Sequence, residues 1–151
     1  MRRAVRNAIL KQASSVVGMG RQARQVLEAY GVSSTKIIDA PNATDVVQIN
    51  ARLEQVAFDG TAARLRHTFG GQDGRRVCLV AGRIEPVKHI DGMLRLWSRL
   101  PQNVRRGWRL VFLGNGSQEP LVRSCDDPSV LHVPAVRMDQ MADYYAASDL
   151  H

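Results

Sequence analysis

Two cations five residues apart, Arg83 and Lys88, are the side chains of this sequence best placed for chemistry. They lie in Gly82-Arg83-Ile84-Glu85-Pro86-Val87-Lys88, after the apolar run Val77-Cys78-Leu79-Val80-Ala81 and before the helical pattern Ile90 to Trp97. The order is strand, glycine turn, helix. Open α/β sheets bind ligands at the carboxyl ends of their strands. Two fixed positive charges beside a helix N-terminus suit a diphosphate. A unit charge pair at ~4 Å is worth roughly 4 kcal/mol at an effective dielectric of about 20, against about 0.3–1 kcal/mol from a helix N-terminus. The side chains would dominate and the helix would assist. The plain alternative is a pair of surface cations, one of them bridged to Glu85.

Two other loops contain glycines that could approach a ligand. Leu113-Gly114-Asn115-Gly116-Ser117 follows the apolar run Leu110-Val111-Phe112. Glycine there lets the backbone come close to a ligand or take a positive φ. If the two strands are neighbours, their ends line one crevice. The competing loop is Val17-Gly18-Met19-Gly20-Arg21-Gln22-Ala23, a G-x-G-x-x-A between a strand and a helix. Asp39 follows 21 residues after Gly18. That is the outline of a dinucleotide fingerprint, with an acid for a ribose hydroxyl. It is a weaker pattern, because its strand is short, begins with two serines and is followed by an arginine in the turn.

The elements that must position these loops follow from apolar periodicity. The pattern predicts a helix over 2–12, a strand over 14–18, a helix from Arg21 to Tyr30 closed by Gly31, and a strand over 36–40 stopped by Pro41. Residues 42–60 are ambiguous, with a helix around 49–58. A helix over 61–69 and a turn at Gly70-Gly71-Gln72-Asp73-Gly74 come next. Then follow strand 76–81, helix 90–100, strand 108–113, helix 118–124, strand 130–133, helix 138–147 and the start of a strand at Ser148. Alternating strands and helices imply an α/β fold, a Rossmann-like parallel sheet flanked by helices.

Composition narrows the partners. A chain of 151 residues can bury roughly 68–70% of its unfolded surface, enough for one core. No apolar run approaches the ~20 residues of a membrane span. The net charge is +7, and all but Lys11, Lys36 and Lys88 of its 21 basic residues are arginines. That favours forked contacts to phosphate or carboxylate. The arginines are scattered, with few aromatics among them, which argues against nucleic acid. The first 27 residues hold no acid. Arg2, Arg3 and Arg6 there could instead face a partner or anionic lipid headgroups. Cys78 and Cys125 form no disulfide framework, and a reducing cytoplasm fits them. His67, His89, His132 and His151 lack metal-ligand spacing, so no metal is expected. Asp126-Asp127-Pro128 reads as a turn, and Ser117 lacks a G-x-S-x-G context.

Taken in order, these motifs resemble those of the family-4 glycosyltransferases of the GT-B fold. Val16-Val17-Gly18-Met19-Gly20 and the helix to Gly31 resemble the strand and helix before the family's domain crossover. Lys36-Ile37-Ile38-Asp39-Ala40-Pro41-Asn42-Ala43-Thr44-Asp45 is similar to its K-hydrophobic-P-N-G-x-D element. Val80 to Lys88 is similar to its G-R-(L/I)-x-x-x-K loop. Trp108 to Gly116 resembles its strand ending in G-x-G, and Tyr144 to Leu150 its Y-x-x-(A/S)-D helix exit. Two departures stand out: Ala43 and His89 occupy positions where the family usually has glycine.

The resemblance implies transfer of a sugar, with retention, from a nucleotide-diphosphate sugar to an unknown acceptor. It implies no cofactor beyond that donor substrate. Arg83 and Lys88 would hold the two phosphates and stabilise charge on the leaving diphosphate. Gly82, Gly114, Asn115 and Gly116 would border the nucleotide, and the segment His132-Val133-Pro134-Ala135-Val136-Arg137, with Pro134, Ala135, Val136 and Arg137 as its binding residues, would line the base pocket. Residues 1–41 would be the last elements of an acceptor domain and its crossover, and 42–151 an incomplete donor-binding domain. The family's glutamate motif would lie past His151, so the chain is expected to be an inactive fragment, cytoplasmic or peripheral at a membrane. Two alternatives remain: an NAD(P)-binding oxidoreductase using Gly18, Gly20 and Asp39, and a non-catalytic α/β module.

Overall fold

The computed structural model describes residues 2–70 and 74–151. Gly71, Gln72 and Asp73 of the expected turn lie outside the described residues, as do the side chains of Arg2 and Arg3. The chain divides into two compact units, residues 1–45 and 46–151.

The first unit contains α1 (Arg2–Gln12), β1 (Val16–Gly18), α2 (Arg21–Ala29) and β2 (Ile37–Asp39). β1 and β2 pair in parallel, Val16 opposite Ile37 and Gly18 opposite Asp39. Both strands are shorter than their apolar patterns suggest. Ser14 and Ser15 lie outside β1, and Lys36 belongs to a 3-10 turn (Ser34–Lys36) before β2. The second difference lies in the backbone, where the Lys36 N–H closes a turn on the Ser33 carbonyl at 2.9 Å, while the Lys36 ammonium donates to the Ala13 carbonyl at 3.1 Å. Gly31 ends α2 as expected: its φ is 83°, its N–H reaches the Glu28 carbonyl at 2.8 Å, and the next N–H, of Val32, reaches Leu27 at 3.1 Å. That pair of bonds satisfies carbonyls the helix leaves open.

The second unit begins with α3 (Val46–Asp59) and α4 (Thr61–Thr68). It continues through β3 (Arg76–Ala81), α5 (Ile90–Arg99), α6 (Gln102–Arg106), β4 (Trp108–Leu113), α7 (Glu119–Arg123), β5 (Val130–Val133) and α8 (Met141–Ala146). The strands are parallel in the order β3-β4-β5. Leu150 bridges to Cys78 in parallel, so the expected strand after Ser148 is a single bridge on the outer edge of β3. The ambiguous segment resolves into α3, which starts three residues before the predicted helix. Helix α6 has no counterpart among the predicted elements. Its residues, Gln-Asn-Val-Arg-Arg, offer one apolar side chain and hence no periodicity to read. The first turn of the predicted helix at 138 is 3-10, and α8 proper begins at Met141.

Strand alternation builds two cores, one on each face of the sheet. Val77, Leu79, Val111 and Leu113 pack with Phe69 and Ala147 on the face that also touches Met141 and Tyr144. Leu110, Phe112 and Val130 pack with Ile84, Ile90 and Val122 on the other. Arg52 of α3 forks onto Asp143 of α8 through Nε and Nη2, both at 2.7 Å. Asp149 accepts the Val77 N–H at 2.7 Å and pairs with Arg66, fixing the end of the chain to β3.

Candidate functional site

The hydrogen-bond ladder of the sheet does not stop where the strands stop. Past β3 and β4, Gly82 N–H donates to Leu113 O at 2.9 Å and Ile84 N–H to Asn115 O at 3.0 Å. Gln118 N–H returns to Ile84 O at 3.0 Å. Past β4 and β5, Gly114 N–H donates to Val133 O at 2.9 Å, and Ala135 N–H to Asn115 Oδ1 at 2.8 Å. The loops carrying Gly82–Lys88, Gly114–Ser117 and Pro134–Arg137 therefore meet at the carboxyl edge of the sheet. Asn115 joins all three, by its main-chain carbonyl on one side and its side chain on the other.

This contact dictates the glycines. At Gly114, with φ 149°, a Cβ would overlap the Gly82 carbonyl oxygen. At Gly116 it would overlap the Ile84 carbonyl oxygen. Both glycines are required by the neighbouring loop before any ligand is considered. Gly82, with φ 141°, faces open space.

Ile84 is 1% exposed and anchors the first loop in the core, while Arg83 and Lys88 on either side are exposed. Among the described residues neither cation forms an ion pair or a side-chain hydrogen bond. This sets them apart from Arg24, Arg52 and Arg66, each of which holds a carboxylate. The expected bridge to Glu85 is not made. Glu85 Oε2 accepts the Ser117 Oγ–H at 2.6 Å and Oε1 accepts the Ser117 N–H at 3.2 Å. Those two bonds, with the Arg83 charge adding, hold the Glu85 carboxyl below its ordinary value. A 3-10 turn (Pro86–Lys88) carries the chain to His89, the cap of α5.

The glycine turn is braced from its far side. Glu119 Oε1 accepts the Gly116 N–H at 2.8 Å, and Arg123 Nη2 donates to Glu119 Oε2 at 3.2 Å. Arg123 Nε donates to His132 Nδ1 at 3.3 Å. That leaves His132 Nε2 to donate to Gly114 O at 2.9 Å. Glu85, Ser117, Glu119 and Arg123 are not among the candidate site residues, and His132, expected to line the base pocket, braces the glycine turn instead. Only the i,i+4 spacing of Glu119 and Arg123 signals such a pairing in sequence.

The third loop is divided in its orientation. Pro134 and Ala135 are exposed, but Val136 packs on the core with Phe69 and Leu113. Arg137 folds onto Asp139, Nε to Oδ1 at 3.0 Å and Nη2 to Oδ2 at 2.8 Å. The rival fingerprint has its acid engaged. Arg24 grips Asp39 through Nη2 at 2.6 Å and Nε at 3.0 Å, and a second Nη2 bond goes to Ile37 O at 3.1 Å. Among the described residues no cluster of His, Cys, Asp or Glu could hold a metal ion, and no helix is long and apolar enough to cross a membrane.

No protein-family model matches the chain. A D-inositol 3-phosphate glycosyltransferase of Xylanimonas cellulosilytica is 28% identical over 146 residues, which cover 89% of this chain and 33% of that protein. The crystal structure of Anabaena HepE in complex with UDP superposes with a TM-score of 0.66 at 15% identity, covering 91% of this chain and 37% of that one. The likeness in sequence is to a glycosyltransferase, and the likeness in structure is one of fold. The chain spans about a third of the length of the curated relative it matches. Its two departures from the GT-B motifs differ in consequence. Among the described residues, His89 is the non-glycine residue with positive φ, 52°, so the glycine usual in the family has a conformational reason there. Ala43 has no positive φ, and its segment runs without the left-handed turn a glycine would permit.

Proposed function

We propose that this chain carries the diphosphate-binding side of a nucleotide-sugar donor site, and that the protein it represents transfers a sugar from that donor to an acceptor, with retention. The observation that carries the reading is the pair of unengaged cations, Arg83 and Lys88, on a loop locked to the Gly114–Ser117 turn. Arg83 offers a planar fork and Lys88 a compact point charge, a combination suited to two adjacent phosphates. As the bond to the sugar breaks, charge collects on the leaving diphosphate. Cations already in place stabilise that charge without reorganising.

The remaining assignments follow from position. Gly82, Gly114, Asn115 and Gly116 border the nucleotide. Pro134 and Ala135, with the adjoining backbone of Val136 and Arg137, face the base. Residues 1–41 correspond to the end of the acceptor-side domain and 42–151 to the donor-binding domain. The UDP seen with HepE and the glycosyltransferase relative support a nucleotide diphosphate as ligand. Calorimetric titration of the 151-residue chain with UDP tests this. Binding is expected, and in the Arg83→Ala/Lys88→Ala double variant it should weaken by at least about tenfold, or ~1.4 kcal/mol. Equal affinities for the two proteins would refute the assignment.

A further inference from the structure

We propose that Ser117 is a positioning residue that keeps Arg83 and Lys88 available to an anion by holding Glu85 away from them. The inference rests on the donor-site reading above. Glu85 stands between the two cations in the chain, two residues from Arg83 and three from Lys88. Several arginines of this protein take a nearby carboxylate: Arg24 holds Asp39, Arg52 holds Asp143 and Arg66 holds Asp149. Where one does not, the carboxylate has another donor, as Asp59 beside Arg64 accepts the Thr61 N–H at 2.8 Å. Arg83 is near enough for its charge to act on Glu85, yet it makes no bond to it. The difference is Ser117, whose hydroxyl and N–H occupy both carboxylate oxygens at 2.6 and 3.2 Å. A hydroxyl donating to a carboxylate is among the stronger neutral-donor bonds.

The contact is not needed to join the loops. Ile84 N–H to Asn115 O and Gln118 N–H to Ile84 O already do so through the backbone, at 3.0 Å each. Its separable effect is electrostatic. Released from Ser117, Glu85 can swing onto Arg83 or Lys88, and an incoming phosphate must then displace it. Ser117→Ala removes the hydroxyl bond and leaves the carboxylate only the longer backbone N–H bond, so that it can turn toward the cations. Glu85→Gln keeps an acceptor for Ser117 and removes the competing charge.

Calorimetry of the full chain with two ligands, UDP and inorganic pyrophosphate, tests this. One exposed ion pair sets the scale, so Ser117→Ala should weaken binding of both ligands by about two- to fivefold. Glu85→Gln should tighten it. In the Glu85→Gln background, adding Ser117→Ala should change affinity little, because nothing charged is left to release. If Ser117→Ala matches the parent, or its loss persists undiminished beside Glu85→Gln, the proposal is overturned and the contact is structural. Binding of pyrophosphate with this pattern, in a chain that ignores UDP, would sustain the inference and sink the nucleotide reading. A chain that binds neither ligand overturns both.

Discussion

The carbonyl oxygen of Gly82 occupies the space that a side chain at Gly114 would need. A β3 loop and a β4 loop are thereby packed backbone to backbone at the edge where a ligand would sit. Gly114→Ala must push the loops apart and also hold alanine at a φ of 149°. Overpacking of about 1–3 kcal/mol and backbone strain of about 1–2 kcal/mol give a destabilisation of roughly 2–5 kcal/mol. Gly82→Ala meets open space and bears only the strain of its φ of 141°. Chemical denaturation should rank Gly114→Ala well below Gly82→Ala. Equal stabilities would mean that the close approach is not made in solution.

Asp149 makes a pH-dependent contribution. Burial opposes its charge, but the Arg66 hydrogen bond, the Val77 N–H and the charges of Arg66 and Arg76 outweigh burial and leave its carboxyl below the ordinary value. A folded-state pKa below the unfolded one means stability that is present above the unfolded value, about 3.9, and lost as pH falls through the folded value. Asp149→Ala also strands the Val77 N–H. At pH 7 the variant should be less stable by about 2 kcal/mol. Denaturation curves repeated down to about pH 3 should show that difference shrinking. A difference that stays constant with pH would remove the charge from the explanation.

The parts legible in sequence are those that two-sided burial writes as apolar runs. β3, β4 and β5 lie at the predicted residues, because the strands of a parallel sheet covered on both faces show uninterrupted hydrophobicity. Glu85 and Ser117 are not legible in that way. They lie 32 residues apart and meet only because two strands pair in one register. Ser117 lacks a nucleophile's context in sequence, and its partner is a carboxylate on another loop. The same holds for His132, which looks like a poor metal ligand in sequence and proves to be a donor to the Gly114 carbonyl. Helix α6 was invisible for a different reason, being capped by Pro101 and held by a short turn without an apolar stripe.

His89 is held at a φ of 52° and ψ of 43°, between the Pro86–Lys88 turn and the first residue of α5. A side chain in that conformation costs about 1–2 kcal/mol relative to glycine, and glycine gives back about 0.4–1 kcal/mol through the unfolded chain. His89→Gly should therefore be stabilising by up to about 1 kcal/mol. His89→Val should be destabilising, since a β-branched residue tolerates this region least. Thermal melts of the two variants check the sign. A glycine variant markedly less stable than the parent would show that the imidazole makes a contact worth more than the strain.

Arg24 and Asp39 bear on which glycine loop binds a nucleotide. A ribose-binding acid must present free oxygens at a strand end, whereas Asp39 Oδ2 accepts from Arg24 Nε and Nη2 at 3.0 and 2.6 Å and Oδ1 from Nε at 3.2 Å. A second Arg24 bond to Ile37 O holds the fork in place. NADH and NADPH are therefore expected not to bind, by fluorescence titration. Asp39→Ala should leave UDP affinity unchanged, because the proposed anion site rests on Arg83 and Lys88, while Asp39 is engaged by Arg24. The exposed pair should also contribute little to stability, about 1 kcal/mol or less. NADH binding that is abolished by Asp39→Ala and unaffected by Arg83→Ala would reverse the ranking of the two loops.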